Sequence, residues 1–273
     1  MRRLLRQFIP PIAIRAYHSI AGEMIRFRGE FVSWEEASAA SSGYDSDAIF
    51  HKTREAALKV KCGEVAFERD SVVFDRVEFS FPVLAGLLRV ACARGGELNV
   101  LDFGGALGST YRQFKAFGVP LRALRWNVVE QPHFVECGRE MFQDAELRFF
   151  ETIGEVVRDC RPDVVLLSSV LQYIKCPYDL IEQINLLDWA HVLVDRTPCA
   201  SADRDVLTVQ SVPSTIYKAS YPCWVFSTKK LIAACSVNRS LLTSFQEPSG
   251  PWLYDRGEFF LQGFIFGPRS QVG

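Results

Sequence analysis

The sequence predicts an α/β protein built on a mostly parallel, Rossmann-like sheet. Beyond Gly96, short β-rich runs alternate with helical stretches, and one of these runs passes through a glycine-rich turn into a helix. Strands that alternate with helices favour a parallel sheet covered by helices on both faces. At 273 residues, with 48% hydrophobic and 23% charged residues, the chain is long and apolar enough to bury a sizeable core.

Five strands are predicted in the alternating region. They cover residues 98–103, 126–130, 147–150, 164–167 and 191–195, and the helices between them cover 109–117, 134–142, 154–159 and 178–187. Residues 241–246 and 259–266 predict two more strands, separated by a turn with Pro248, Gly250 and Pro251. We expect this terminal pair to be antiparallel and to lie at one edge of the sheet.

Residues 1–95 have a different pattern, which predicts a mainly helical N-terminal extension. Ser33 followed three residues later by Glu36 is typical of a capping box that opens a helix. Residues 81–93 predict an apolar helix that ends before Gly95. The core then comprises residues 96–273, with an insertion near 199–228 on the side where a substrate would bind.

Charge and cysteine content argue against two classes of site. The formal net charge is −1, so no global field attracts nucleic acid, and we expect no nucleic-acid partner. The eight cysteines include no C-x-x-C pair and the histidines stand singly, so no metal site is predicted. Buried thiols in a reducing cytoplasm are the simplest interpretation of the cysteines, and the predicted location is cytoplasmic.

The N-terminus leaves one question about membranes open. No apolar run approaches the roughly 20 residues that span a bilayer. Arginines at positions 2, 3, 6 and 15 stand among Leu, Ile and Phe, which is compatible with a weak peripheral contact to the inner face of a membrane. The alternative is a solvated terminus, which is the more common state of chain ends.

The first strand of the alternating region ends at Asp102 and leads directly into Gly104, Gly105 and Gly108. Glycines let the backbone turn tightly and approach a ligand, and the helix that follows presents free N–H groups to it. The turn therefore predicts a site for a nucleotide-like ligand, with these glycines against it.

Two details restrict the class of ligand that the turn could bind. A dinucleotide fingerprint that starts at Gly104 needs glycines where Ala106 and Ser109 stand. The carboxylate of Asp102, two positions before the first glycine, would repel a pyrophosphate and attract an ammonium group. S-adenosylmethionine has an α-amino group and no phosphate, so the pattern favours this cofactor. The alternative for Asp102 is a cap on the following helix.

The second strand of this region ends at Glu130, followed by Gln131. An acid at the tip of the second strand accepts hydrogen bonds from ribose hydroxyls in Rossmann-type sites. We therefore expect Glu130 to bind the ribose and Gln131 to orient the adenosine. The alternative is that Glu130 is a solvated strand end, but its pairing with Asp102 on the adjacent strand favours a binding role.

The fourth strand ends at Ser168 and Ser169, followed by Leu171 and Tyr173. The stretch resembles the class I S-adenosylmethionine-dependent methyltransferases, in which an aliphatic strand leads to small polar residues and then to Leu-x-His or Leu-x-Tyr. The resemblance implies a class I methyltransferase fold. It also implies that Ser168 and Ser169 line the methionine part of the cofactor, and it makes Tyr173 a candidate catalytic residue.

At a finer level the chain resembles a bacterial family named as methyltransferases by analogy and found with polysaccharide-biosynthesis functions. The resemblance spans about residues 30 to 265 and is carried by segments 43–45, 67–71, 102–109, 128–131, 168–173, 195–198 and 217–222. It implies a small-molecule or glycan acceptor. One departure concerns the usual D-x-G-x-G-x-G of the wider class, because Ala106 stands at its second glycine and Gly105 beside Gly104.

The acceptor side is predicted from the end of the fifth strand and the segment after it. Asp195 is a candidate base, and Arg196 a candidate ligand for an anionic or sugar-like acceptor. The alternative is a mutual ion pair at a sheet edge. Tyr217, Tyr221 and Trp224 as a group form a candidate substrate wall, because aromatic faces stack on sugar rings, although for any one of them alone a packed lid or core patch is the favoured interpretation.

The leading hypothesis is therefore O-methylation of a sugar or glycan precursor with S-adenosylmethionine. A second class is a nicotinamide-dependent oxidoreductase or epimerase, which requires a G-x-G-x-x-G and a Tyr-x-x-x-Lys pair that have no suitable place in the sequence. A third is a non-catalytic protein that binds the cofactor without turnover. The sequence does not specify the oligomeric state.

Overall fold

The structure, a computed structural model, describes residues 25–42, 46–213 and 219–269, and for residues 46–48 the backbone alone. The N-terminal segment of the membrane-contact hypothesis and Tyr217 lie outside the described residues. Within the described ranges, no helix is both long and apolar enough to cross a membrane.

Strands and helices alternate along the core as the sequence predicts. The strands are β1 (Arg26–Phe31), β2 (Phe67–Arg69), β3 (Val72–Phe74), β4 (Glu97–Phe103), β5 (Ala123–Val129), β6 (Leu147–Phe150), β7 (Val164–Ser168), β8 (His191–Ala200), β9 (Val206–Val212), β10 (Ala219–Ser227), β11 (Arg239–Gln246), β12 (Trp252–Tyr254) and β13 (Gly257–Pro268). The helices are α1 (Trp34–Ala39), α2 (Ser46–Lys61), α3 (Phe81–Ala93), α4 (Ser109–Phe117), α5 (Pro132–Met141), α6 (Ile153–Asp159), α7 (Pro177–Asn185) and α8 (Thr228–Cys235), with a short 3₁₀ turn at Leu171–Tyr173.

The main sheet has five parallel strands in the order β6-β5-β4-β7-β8. The last strand, β13, lies antiparallel to β8, and β11 pairs antiparallel with β13. The predicted antiparallel terminal pair is thus confirmed. β13, the later of its two strands in the chain, lies between β8 and β11. The main sheet thus has the mostly parallel, Rossmann-like arrangement that the sequence predicts.

Helices cover both faces of this sheet, and each face has its own apolar core. On one face α3, α4 and α5 pack around Leu87, Phe114 and the fully buried Trp126. On the other face α6, α7 and α8 pack around Val156, Ile181 and neighbouring apolar groups. Because both faces are covered, the central strands are mainly apolar, which is why they were predictable as short runs.

The N-terminal region and the insertion are joined by strand pairing. Ser33 caps α1 by accepting the backbone N–H of Glu36, as predicted. Before this helix, β1 pairs antiparallel with β9, and β9 pairs antiparallel with β10. None of these three strands was predicted. They form an extension of the main sheet to which the N-terminal region contributes an edge strand.

The extension lies beyond the carboxyl end of β7. Cys199 of β8 pairs with Phe260 of β13 on one edge and with Phe226 of β10 on the other. Earlier in β8, the edge that later meets β10 is occupied by β7, from Val164 to Ser168. β10 therefore continues the sheet where β7 stops, next to the residues that follow β7.

Candidate functional site

The candidate site lies at the edge of the sheet where the parallel strands end. The chain connects β4 to β5 in one direction, while β7 pairs on the opposite side of β4. The strand order therefore reverses at β4, and ligands of open α/β sheets bind outside the carboxyl ends of strands at such a point. The glycine turn after β4 lies at this position.

The glycine turn is held between its neighbouring strands. Gly104 has a φ of 73°, and its N–H donates to the carbonyl of Val129 at the end of β5 at 2.9 Å. A Cβ on Gly104 would lie 2.4 Å from a methyl group of Val170. Gly108, with a φ of 91°, is the N-cap of α4 and has no side chain to satisfy the helix's free N–H groups. These groups remain available to a ligand.

Asp102 lies beneath the turn. Its side chain is buried and accepts a hydrogen bond from the indole Nε1 of Trp126 at 2.9 Å. Burial, with a smaller contribution from the nearby Glu130, raises the pKa of Asp102 to about 7, while the Trp126 hydrogen bond acts in the opposite direction. A Cβ on Gly105 would lie 2.5 Å from an oxygen of this carboxylate. In this conformation Asp102 supports the turn from below, and the predicted cofactor contact of Asp102 stays a prediction.

Glu130 bridges the end of β5 and the glycine turn. One carboxylate oxygen accepts the N–H of Ala106 at 3.3 Å and the other accepts the N–H of Gln131 at 2.8 Å. Burial raises the pKa of Glu130, while both N–H donors act in the opposite direction. Gln131 is exposed and is the N-cap residue of α5. The structure thus brings the predicted ribose ligand and the predicted turn into direct contact.

The end of β7 is joined to β8 by hydrogen bonds. The hydroxyl of Ser168 donates to Oδ2 of Asp195 at 2.8 Å, and the N–H of Ser169 donates to the carbonyl of Asp195 at 2.9 Å. Ser169 has a left-handed φ of 55°, and its Oγ accepts from Nε2 of Gln172 at 3.1 Å. The predicted cofactor-side serines and the predicted base are therefore one hydrogen-bonded group.

A β-bulge in β8 places Asp195 and Arg196 at the site. Val194 pairs with Phe264 of β13 and Thr197 with Gln262, so two residues of β8 face a single residue of β13. Arg196, the second residue of the bulge, has a φ of 49°. Bulges commonly redirect side chains next to active sites.

Asp195 is buried, and one of its carboxylate oxygens is unused. Oδ2 accepts from Ser168 and lies 3.5 Å from Nε of Arg196. Oδ1 has no hydrogen-bond partner among the residues that the structure describes. Burial raises the pKa of Asp195, and the charge of Arg196 is the main opposing influence. A carboxylate with a raised pKa and a free lone pair is suited to accept a proton.

Arg196 connects the strand ends to the N-terminal region. Its side chain is 16% exposed, and Nη1 lies 3.1 Å from Oδ2 of Asp70, which is 65% exposed. Nη2 donates to Ser168 Oγ at 3.4 Å. Asp70 is at the tip of the β2–β3 hairpin, so this hairpin lies against the site.

The hairpin also contributes a buried carboxylate that the sequence did not single out. Glu68 of β2 is 1% exposed and accepts from the hydroxyl of Ser109 and, at 3.1 Å, from Nη2 of Arg112. Its neighbour Arg69 pairs with Glu78 at 2.9 Å. Glu68 belongs to segment 67–71 of the resemblance, but an acid between the apolar Phe67 and an apolar strand is too common a pattern to predict a site.

The aromatic candidates pack mainly against each other and the extension sheet. The hydroxyl of Tyr173 donates to Gln210 at 3.0 Å, and its ring lies edge-on to that of Tyr221 at 5.3 Å. Tyr221 is buried. Nε1 of Trp224 donates to the carbonyl of Ile174 at 3.1 Å. Tyr173, Tyr221 and Trp224 thus lie together beyond β7, and their roles toward a substrate stay predictions.

Backbone strain in the described part of the chain is concentrated at this site. Five non-glycine residues there have a positive φ, namely Asp70, Ser71, Ala106, Ser169 and Arg196. They belong to the hairpin tip, the glycine turn, the turn after β7 and the bulge of β8. Such conformations cost roughly 1–3 kcal/mol each and cluster where a ligand is bound or chemistry occurs. Within the described residues, no group of three or more His, Cys, Asp or Glu side chains is arranged to hold a metal ion.

Comparison with known proteins gives similarity at the level of solved structures. The chain matches no protein-family profile and no curated relative. The N-terminal domain of EvdMO1, solved in the presence of S-adenosylhomocysteine and D-fucose, is 13% identical, with a TM-score of 0.46, covering 82% of this chain and 97% of that one. An S-adenosylmethionine-dependent methyltransferase from Clostridium acetobutylicum is 9% identical, with a TM-score of 0.47, covering 80% of this chain and 98% of that one.

A third similar structure is the 1,6-didemethyltoxoflavin-N1-methyltransferase of Burkholderia thailandensis, solved with bound 1,6-didemethyltoxoflavin and S-adenosylhomocysteine. It is 12% identical, with a TM-score of 0.39, covering 83% of this chain and 91% of that one.

Proposed function

We propose that the chain is an S-adenosylmethionine-dependent methyltransferase that methylates a hydroxyl of a sugar or glycan precursor. The observation that carries the cofactor assignment is the contact between Glu130 and the glycine turn, through the N–H of Ala106 at 3.3 Å. It joins a carboxylate suited to ribose hydroxyls to a turn suited to a small, closely approaching ligand. Both lie where the strand order reverses.

The charges around the turn favour this cofactor over a dinucleotide. Asp102 and Glu130 flank the turn closely enough for Glu130 to raise the pKa of Asp102. A pyrophosphate would bring further negative charge to the same place, whereas the methionine part of S-adenosylmethionine brings an ammonium and a sulfonium. The misfit of Ala106 and Ser109 to the dinucleotide spacing supports the same choice.

The residues present fit the cofactor part by part. Glu130 would accept the ribose hydroxyls, with Gln131 next to the adenosine. The backbone of residues 104–108 and the free N–H groups of α4 would border the methionine part, with Ser168 and Ser169 at its far side. When bound, the cofactor supplies a methyl group on a positively charged sulfur.

The acceptor side supports a hydroxyl as the nucleophile. Asp195 is buried beside Ser168 and has an unused Oδ1, so it would receive the proton of an acceptor hydroxyl as that oxygen attacks the methyl carbon. Arg196 contacts both Asp195 and Ser168, and it would orient a polar or anionic acceptor. Holding the two reactants in line is the larger part of catalysis for a displacement of this kind.

The sugar or glycan assignment is supported by the chemistry next to the bulge. Ser168, hydrogen-bonded to Asp195, ends β7, and Tyr173, whose ring packs against that of Tyr221, lies in the 3₁₀ turn that follows; polar groups and aromatic rings together suit hydroxyl-rich rings. Tyr173 would act here by placing the acceptor, since its hydroxyl is hydrogen-bonded to Gln210.

Calorimetric titration of the purified chain with S-adenosylmethionine, S-adenosylhomocysteine and NAD tests the cofactor assignment. We expect both sulfur compounds to bind and NAD not to bind. Binding of NAD without binding of either sulfur compound would contradict the proposal and support a nicotinamide-dependent enzyme. Transfer of a labelled methyl group to a panel of sugars and sugar nucleotides tests the acceptor class, and cofactor binding without transfer to any acceptor would support a non-catalytic role.

A further inference from the structure

The N-terminal hairpin places a buried carboxylate beside the first turn of α4, directly after the glycine turn. Oε1 of Glu68 accepts from the hydroxyl of Ser109, the first residue of α4, and from Arg112 one turn further on. Arg112 in turn donates to the carbonyl of Leu107 at 2.8 Å. Glu68 therefore contacts the start of α4 directly, at Ser109, and contacts the end of the glycine turn, at Leu107, through Arg112.

The second oxygen of Glu68 is unused. Oε2 is buried and has no hydrogen-bond partner among the described residues. Burial raises the pKa of Glu68, and the hydrogen bond from Ser109 and the charge of Arg112 oppose this effect. An unsatisfied buried acceptor on a charged group is unfavourable, so a positively charged donor at this position would be stabilised.

Asp102, the other candidate for a ligand's ammonium, is already engaged in supporting the turn. Asp102 lies below Gly105 and its Oδ2 accepts from Trp126. The carboxylate of Asp102 lies against the backbone of the turn at Gly105. Glu68 instead contacts the first residue of α4 from the N-terminal hairpin.

The hairpin is joined to the site by side-chain contacts and not by strand pairing. β2 and β3 pair only with each other in the described part of the chain and share no strand pairing with the main sheet. A two-stranded ribbon has little stability of its own. Its place beside the glycine turn is therefore set by the contacts of Glu68 with Ser109 and Arg112 and by the ion pair of Asp70 with Arg196.

We propose that Glu68 accepts the α-ammonium group of the cofactor's methionine part, so that the N-terminal hairpin completes the cofactor site. This inference rests on the proposed function. It assigns the ribose to Glu130 and the ammonium to Glu68, while Asp102 supports the turn. The remaining charged groups at Glu68 are Arg112 and Asp70.

The test compares two probes that differ in the amino-acid part alone. S-adenosylhomocysteine has the α-ammonium, and methylthioadenosine has the same adenosine and thioether without it. By calorimetry, we expect Glu68→Gln to weaken S-adenosylhomocysteine binding about 10–100-fold, the range for a hydrogen bond to a charged group. Binding of methylthioadenosine should change less than about 2-fold. Glu78→Gln is the matched control, because Glu78 pairs with the hairpin residue Arg69 without contacting α4 through its carboxylate.

Each other outcome has a distinct meaning. Unchanged S-adenosylhomocysteine affinity in Glu68→Gln would overturn the assignment of Glu68 alone. An equal loss of affinity for both probes would also overturn it, since Glu68 would then serve the folding of the turn. Failure of the unaltered chain to bind either probe would overturn the proposed function itself.

Discussion

Gly105 lies directly over the carboxylate of Asp102. A Cβ at position 105 would be 2.5 Å from Oδ2 of Asp102 and 2.6 Å from its Cγ, so only a glycine fits between the turn and this side chain. The next residue, Ala106, has a left-handed φ of 48° and directs its N–H to Glu130. The departure of the sequence from the usual glycine spacing thus has a steric cause, because the close approach to the acid occurs at 105.

This relationship predicts the effect of Gly105→Ala. The added methyl group must displace either the turn or the buried carboxylate, and overpacking of this kind costs roughly 1–3 kcal/mol of stability. We expect the affinity for S-adenosylhomocysteine, measured by calorimetry, to fall by at least about 10-fold, because the displaced turn borders the ligand. Gly154→Ala is the control, since the nearest atom to a Cβ there is 3.9 Å away. Normal affinity in Gly105→Ala would contradict the placement of the cofactor at this turn.

Asp102 predicts a dependence of stability on pH. Its pKa is raised by burial to about 7 in the folded chain, above the ordinary value of 3.8. The folded state therefore binds this proton more tightly, and the resulting stabilisation, complete below the unfolded pKa, is lost as the pH rises through about 7. In Asp102→Asn the side chain is neutral at every pH.

We therefore expect the free energy of unfolding of Asp102→Asn, relative to that of the unaltered chain, to be roughly 1–3 kcal/mol higher at pH 8 than at pH 5. Urea unfolding at the two pH values measures the difference, and Asp159→Asn, at an exposed ion pair with Arg148, is the control. The same stability difference at pH 5 and pH 8 would show that Asp102 is ionised throughout this range.

Glu130 predicts a different pattern from Glu68. Because the ribose is common to S-adenosylhomocysteine and methylthioadenosine, Glu130→Ala should weaken both by about 10–100-fold in calorimetric titrations. Glu140→Ala, an exposed acid on the following helix α5, should leave both affinities unchanged. A loss confined to S-adenosylhomocysteine would mean that Glu130 binds the methionine part, and the orientation of the cofactor proposed above would be reversed.

The sequence predicted the main sheet because its strands are buried on both faces. Such strands are short apolar runs, and each of the five was located within a few residues of its bounds. β9 was missed because it contains the buried polar residues Thr208 and Gln210. Their partners, the carbonyl of Cys223 and the hydroxyl of Tyr173, come from other parts of the chain, so no local pattern indicates that these groups are satisfied.

In the candidate site, too, some contacts follow from local sequence patterns and others depend on distant parts of the chain. The proximity of Glu130 to the glycine turn follows from the ends of two neighbouring parallel strands, and the sequence could therefore predict it. Glu68 lies 41 residues before Ser109, on a hairpin outside the main sheet. The bulge that brings Arg196 to Asp70 depends on pairing with β13, near the end of the chain. Contacts of this kind are set by tertiary packing and have no local sequence signal.

Asp195 predicts how the reaction depends on pH. If its carboxylate accepts the proton of an acceptor hydroxyl, the ionised form is the active one, and kcat should rise with pH through the pKa of Asp195 and then level off. Because burial raises this pKa, the rise should occur above the range of an ordinary aspartate. Asp195→Asn removes the proton acceptor but keeps the size of the side chain. We expect kcat to fall about 10²–10⁴-fold, the usual contribution of a general base, with the affinity for S-adenosylhomocysteine unchanged.

The measurement is methyl transfer to a sugar acceptor found in the panel described above, followed from pH 5 to pH 9 for the unaltered chain and for Asp195→Asn. Asp203→Asn, at an exposed pair with Lys229 in the same part of the chain, is the control and should retain the full pH profile. In Asp195→Asn the remaining activity should be independent of pH over the region where the unaltered chain rises. If the variant keeps the rise with pH at reduced kcat, another group titrates, and Asp195 then acts on the reaction by positioning Ser168 and Arg196.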